Sequence, residues 1–326
     1  MRLLARLFIA ALGIALVALS VPNNARCADQ TAQSIPITFV AHRPSGSVFA
    51  SAQTPDGYMW FGTLSGLFRF DGVRYERFVP ENTPVFTHPR IYHLAVTTDG
   101  RLWVASGNPG ANAGSWERGG PGLWVLQAGL FSKVQGLPSD WVMALAAGVD
   151  NQLWVGTQEG LALVQGANVT KLGWPVNTDH HVFHVRPDAK GRVWVGAQSG
   201  LSSFKNGAFT LVMPKTFPIF SSQAPDASLW MTNLHEIFHL PTGGDEWIRW
   251  ANGATTGVSQ TRAVVQDLSG TVWAGGSGIA SIDPLSKKGV SPQALDVTAN
   301  PDRFMIHSLF TDREGGVWAG SREGGH

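Results

Sequence analysis

The sequence predicts an all-β chain folded as a seven-bladed β-propeller of four-stranded antiparallel blades, the last blade incomplete. Three observations predict it: a phrase centred on Trp that recurs seven times, a mean period of 43 residues, and Gly- and Asp-rich turns between short apolar runs.

The copies run Asp56 to Thr63, Asp99 to Ser106, Asp150 to Thr157, Lys190 to Ala197, Asp226 to Asn233, Ser269 to Gly276 and Glu314 to Ser321. Their anchors are Trp60, Trp103, Trp154, Trp194, Trp230, Trp273 and Trp318. Three residues before each anchor stands a glycine, replaced once by Asn151 and once by Ala227. Gly and Asn tolerate the positive φ that tight strand-to-strand turns require. Each Trp has apolar residues on both sides, as in Leu153-Trp154-Val155, which marks a strand buried on both faces. Small residues follow (Gly62, Ala105, Gly156, Gly196, Gly275, Gly320) and let neighbouring sheets approach closely.

Around each anchor four strands are expected. Apolar first strands are predicted at Val48 to Gln53, Ile91 to Val96, Val142 to Ala147, Val182 to Arg186, Thr261 to Gln266 and Ile306 to Phe310. A Gly-Leu start with alternation, as at Gly66 or Gly160, gives the third strand, and turns such as Asp71-Gly72 lead to the fourth. The density of Gly turns and the absence of helical periodicity exclude a helical solenoid. Repeat two carries an insertion at Gly107 to Gly120, and repeat five lacks its glycines.

Composition narrows the function. The 326 residues are 44% hydrophobic and 14% charged, with a net charge of +1 and no Lys/Arg run. Such a chain has no electrostatic footprint for DNA or RNA, so no nucleic-acid partner is expected. Residues 1–27 read as a signal peptide: Arg2 and Arg6 in a charged head, an apolar run from Leu7 to Val21, then Ala25-Arg26-Cys27 before a cleavage site. The apolar run is short for a membrane span, which needs about 20 residues. The mature chain, residues 28–326, is therefore expected to be exported. Cys27 is the single cysteine, so the mature chain is expected to hold neither a disulfide nor a nucleophilic thiol.

The stretch Ala52 to Thr63, followed by Gly66-Leu67-Phe68-Arg69-Phe70-Asp71-Gly72, resembles the repeat of the two-component regulator propeller family, as does Gly136-Leu137-Pro138-Ser139-Asp140. The resemblance extends over about residues 37 to 326. It implies a periplasmic ligand-binding sensor domain of a hybrid two-component or diguanylate cyclase-type receptor. It also implies a membrane-bound signalling subunit as partner and is compatible with a dimer. The last repeat stops at Gly324-Gly325-His326, where repeat one continues into Gly66 to Phe70. On this reading the chain is a fragment, the product of a truncated gene or a split receptor, with its last blade incomplete unless Ile35 to Val40 supplies a strand that closes the ring.

In a propeller the first strands line a central channel, and the loops leading into them open on the face where ligands bind. Candidates there are His88, Arg90 and His93 in blade two, Asp140 and Trp141 in blade three, and His180, His181 and His184 in blade four. Blade six offers Gln260 and Arg262, and blade seven Arg303 and His307. They read either as a ring of hydrogen-bond donors and aromatic platforms around a small molecule, carbohydrate or peptide, or as a solvated funnel. His180 and His184 share a strand face while His181 points away, which leaves two nitrogens without a carboxylate third. No metal or cofactor is therefore expected.

No G-x-S-x-G or H-E-x-x-H occurs. Asp188, Asp267 and Asp312 repeat before the turns, which suits capping better than acid–base work. The chain thus reads as a binder rather than an enzyme. The alternatives are a protein-interaction propeller or a lyase, since the blade pattern is also similar to streptogramin lyases, which pair a channel His with a metal.

Overall fold

The computed structural model describes residues 47–106, 122–172, 181–282 and 305–321. It also gives backbone strands at Leu7–Ile9, Leu16–Leu19, Ile37–Val40 and Gly289–Val290. The chain divides into two compact units, Ala52–Ile219 and the pair Met1–Ser51 with Phe220–His326, the boundary falling inside the strand Val48–Gln53.

Six four-stranded antiparallel sheets follow one another in chain order, each with its strands in sequence order. Blade one is Val48–Gln53, Met59–Thr63, Gly66–Phe70 and Tyr75–Phe78. Blade two is Ile91–Val96, Leu102–Ser106, Gly122–Gln127 and Leu130–Lys133. Blade three is Val142–Ala147, Gln152–Thr157, Gly160–Gln165 and Asn168–Leu172. Blade four is His184–Pro187, Val193–Ala197, Gly200–Lys205 and Ala208–Pro214. The second unit holds blade five (Phe220–Gln223, Leu229–Thr232, Glu236–Leu240, Ile248–Asn252) and blade six (Ala263–Gln266, Val272–Gly275, Ile279–Ile282, Gly289–Val290).

The expected count of seven blades is corrected to six four-stranded blades among the described residues. The seventh repeat forms the hairpin Ile306–Thr311 with Val317–Ser321, and Leu7–Ile9 adds to it in parallel. Ile37–Val40 pairs with Leu16–Leu19 and not with the last hairpin, so it is not the strand that completes the seventh sheet. The apolar run of residues 7–21 contains two strand-length pieces: Leu7–Ile9 meets the ladder groups of Val317–Ser321, and Leu16–Leu19 meets those of Ile37–Val40.

Each Trp-centred strand is buried along its whole length where it carries the recurring phrase, as in Met59–Thr63, Val193–Ala197 and Val317–Ser321. The apolar clusters show why. In Ala52–Ile219, Trp60 packs with Ile91, Leu102 and Val104 of blade two, Trp103 with Val142, Leu153 and Val155 of blade three, and Trp154 with Val182, Val193 and Val195 of blade four. In the other unit Trp230 packs with Val264, Val272 and Ala274 of blade six, and Trp273 with Ile306, Val317 and Ala319 of the last hairpin. Each of these indoles is a wedge between its own sheet and the next one.

A buried indole N–H needs an acceptor: Trp230 donates to Gln266 Oε1 at 3.3 Å, and five other anchors are served in two ways. Six residues before the Trp, Asp188, Asp267 and Asp312 accept directly from Trp194, Trp273 and Trp318 at 3.1, 2.8 and 2.7 Å. Thr54 and Thr97 accept from Trp60 and Trp103 at 2.9 and 3.0 Å and pass their own hydroxyl protons to Asp56 and Asp99. The same aspartates take backbone N–H groups of the turn, as Asp267 does from Ser269 and Thr271, which is the capping role read from their repetition. In blade three Gly148 occupies this position, where a Cβ would lie 2.9 Å from the indole nitrogen of Trp154.

The turn glycines behave as expected: Gly57, Gly100, Gly191, Gly270 and Gly315 have φ between +72° and +91°. The two replacements adopt the same region, Asn151 at +60° and Ala227 at +65°. Repeat five therefore keeps the blade geometry at the cost of a strained alanine.

Candidate functional site

In blades two and three and in the last hairpin the first strand starts with a break in register. The ladder shifts between Ile91 and His93, between Val142 and Ala144, and between Ile306 and Ser308. In blades four and six Phe183 and Arg262 donate their N–H groups to the carbonyls of Gly196 and Gly275, ahead of the strands proper. These bulges explain why those two strands begin at His184 and Ala263, two residues later than the sequence suggests.

The bulge is tied to the anchor by constant spacing. Thirteen residues before the Trp lies a rim position: Ser47, Arg90, Trp141, His181, Phe217, Gln260 and Met305. Eleven residues before it lies the bulged residue: Phe49, Tyr92, Met143, Phe183, Ile219, Arg262 and His307. Between the two, Val48, Ile91, Val142, Val182 and Ile306 are buried; of the bulged residues Tyr92 and Met143 are buried as well, while Phe49, Phe183, Arg262 and His307 keep part of their surface exposed. Of the sequence candidates, Arg90, Trp141, Arg262 and His307 fall on these rows, as do His181 and Gln260. Tyr92, Phe183, Phe217 and Phe49 were missed, although the fixed offset from the Trp would have found them.

In Ala52–Ile219 the first strands of blades two, three and four lie side by side. Arg90 is exposed, its carbonyl accepts from Ser106 Oγ at 2.6 Å, and its N–H donates to His88 Nδ1 at 3.1 Å. Its guanidinium hydrogen-bonds Tyr92, whose hydroxyl is nonetheless pushed up in pKa by burial. Trp141 is fixed by its N–H to Ser139 Oγ at 3.2 Å and its carbonyl from Gln158 N–H at 3.0 Å. Asp140, beside it, is paired with Lys133 Nζ at 2.8 Å. His181 meets Phe183 edge-on at 5.7 Å, and Phe183 lies 5.0 Å from Phe217.

His93 and His184 sit one residue deeper, in register with Ala105 and Gly196. Both Nε2 atoms are buried without a hydrogen-bond partner among the described residues. His93 is half-buried as a residue, but burial of its imidazole lowers its pKa to about 4. Burial, reinforced by the Arg186 charge, lowers that of His184 to about 3. Both are neutral at pH 7.

Their effect on stability has a definite sign. The unfolded imidazoles take up protons near pH 6.5, while the folded ones do so only far below. This stability is fully present above pH 6.5 and is lost as pH falls towards 4, at roughly 1.4 kcal/mol per unit for each histidine. Melting temperature measured from pH 7.5 to 4.5 is expected to drop steeply below 6.5, and less steeply in a His93→Gln/His184→Gln variant. Parallel curves would remove the assignment.

In the other unit Arg262 Nη2 reaches Gln260 Oε1 at 3.5 Å, and His307 meets Phe49 edge-on at 5.4 Å. His180, Arg303 and the insertion at Gly107 to Gly120 lie outside the described residues. Among the described residues no group of three or more His, Cys, Asp or Glu side chains is placed to hold a metal ion. Among them also, no helix is long and apolar enough to cross a membrane.

Comparison with known structures bears on the fold. The chain is similar to the extracellular domain of a putative hybrid two component system from B. thetaiotaomicron, with a TM-score of 0.67 at 19% identity over 86% of this chain. It spans 37% of that domain's length. It is also similar to a streptogramin B lyase, with a TM-score of 0.63 at 14% identity, covering 85% of this chain and 91% of the lyase. A GH74 enzyme from Niastella koreensis matches with a TM-score of 0.63 at 14% identity over 85% of this chain and 51% of the enzyme. At these identities the likeness establishes the propeller fold. No curated protein matches the chain by sequence. Residues 42–65, which contain the first Trp phrase, match the family model of the two component regulator propeller, and the chain therefore carries that family's repeat.

Proposed function

We propose that the chain is an extracytoplasmic sensor propeller that binds a small molecule, carbohydrate or peptide and passes the signal to a membrane-bound subunit. The observation that carries the reading is the pair of rows at the start of the first strands. There Arg90, Trp141, His181 and Phe183 stand beside the breaks in register, at least partly exposed and outside the clusters that wedge the sheets together. Bulges that turn side chains out of a sheet are characteristic of binding sites. The regulator propeller repeat, the fold shared with an extracellular domain, and a leader-like N-terminus support the same reading.

A thermal-shift panel of sugars, peptides, amino acids and organic acids on the purified chain tests it. A hit should raise the melting temperature of the native chain and of a Val73→Ser control, which alters an exposed turn, but not of Trp141→Ala. A panel without any hit, alongside a stable protein partner, would favour an interaction platform. Turnover of a bound compound would make the chain an enzyme, the role of the lyase that shares its fold.

A further inference from the structure

The rim of the unit Ala52–Ile219 has an unbalanced supply of hydrogen-bonding groups. Its two rows contain Arg90, Trp141, His181, Phe217, Tyr92, Met143, Phe183 and Ile219, with no Asp, Glu, Asn or Gln among them. Guanidinium and indole groups only donate. The Tyr92 hydroxyl is already engaged by Arg90. The carboxylates next in sequence are Asp140, tied to Lys133, and Asp179, two residues before His181 and outside the described residues.

A neutral polyol must both donate and accept, and this rim has few acceptors to offer it. An ionised carboxylate only accepts, and its planar pair of oxygens matches a guanidinium fork. Arg90 is the one permanent cation on these rows, and among the described residues it makes no ion pair. By contrast Arg69, Arg101, Arg192 and Arg249 are each paired with a carboxylate. Its main chain is held by Ser106 and His88, so the head is carried on a fixed base. The aromatic positions of the adjoining blades supply apolar faces for a ring.

Building on the sensor reading, we infer that this rim takes a ring compound bearing a single carboxylate, with the carboxylate at Arg90 and the ring against Trp141 and Phe183.

The test uses four probes with a common ring: benzoate, benzenesulfonate, phenyl phosphate and benzyl alcohol. Binding is followed by calorimetry and by fluorine NMR of the 5-fluorotryptophan protein, with the Trp141 resonance assigned from Trp141→Phe. Benzoate is expected to bind most tightly and to move that resonance saturably. Arg90→Gln should weaken it roughly tenfold or more, and Arg90→Glu should abolish it. The Arg90 side chain lies outside the packed clusters, so both variants should keep the parent's far-ultraviolet circular dichroism and lose only the stability of the hydrogen bond to Tyr92. Tightest binding of phenyl phosphate or benzenesulfonate, or equal binding of benzyl alcohol, would overturn the carboxylate assignment while leaving a binding rim. If neither these probes nor any compound of the wider panel moves the Trp141 resonance, the inference and the sensor reading fall together.

Discussion

Replacing Gly156 with alanine is expected to destabilise the protein by about 2–3 kcal/mol, read as a lowered urea midpoint with an unchanged slope. A Cβ at this position would stand 2.6 Å from both the carbonyl oxygen and Cγ1 of Val182, so backbone as well as side chain must move. The contact recurs wherever the phrase ends in glycine. At Gly62 the added atom would meet Ile91, at Gly275 Ile306, at Gly320 Val48 and Ser308, and at Gly196 Pro218. In each case the glycine two residues after the Trp lets the start of a neighbouring first strand rest on the sheet. Blade two already carries a methyl there, Ala105, fully buried in the cluster with Val142. A Gly156→Ala protein as stable as the parent would show that blades three and four can separate freely.

The second large effect is expected at the indoles. Trp273→Phe should cost roughly 2 kcal/mol more than Trp154→Phe, because it adds a lost hydrogen bond to the lost packing. Trp273 is 1% exposed and donates to Asp267 Oδ2, itself in a 1% exposed residue. Phenylalanine would leave that carboxylate oxygen buried without its donor. Trp154 faces Gly148, so its replacement strands no such acceptor. Thermal and urea denaturation of the two variants make the comparison, and a double-mutant cycle with Asp267→Asn isolates the hydrogen bond. Equal losses at both positions would mean that Asp267 serves the turn alone.

The parts of this architecture that repeat were readable in advance. The Trp phrase, the turn residues with positive φ and the first strands at Val48, Ile91, Val142 and Ile306 follow from side-chain chemistry that acts within a few residues. The aspartates before the turns also read as caps from their repetition, whereas their second duty towards the indoles depends on how each Trp packs. For the site, the fixed distance between Trp and rim was present in the sequence but went unused. Histidines were chosen by residue type, so His93 was grouped with Arg90, although the two lie at different depths.

By itself the sequence determined the blade: local turn chemistry, alternation and a bulky anchor leave a four-stranded antiparallel sheet as the way to bury each period. Only the tertiary structure decided which strands join which sheet and which side chains leave the core. Pairing of Leu7–Ile9 with the last hairpin, the number of complete blades, and the bulges that separate Arg90 from His93 depend on backbone groups meeting partners far away in the chain. A ladder hydrogen bond is the same whichever residues make it, so residue identity carries little information about its partner, whereas a buried indole or a turn glycine declares its surroundings by its own shape.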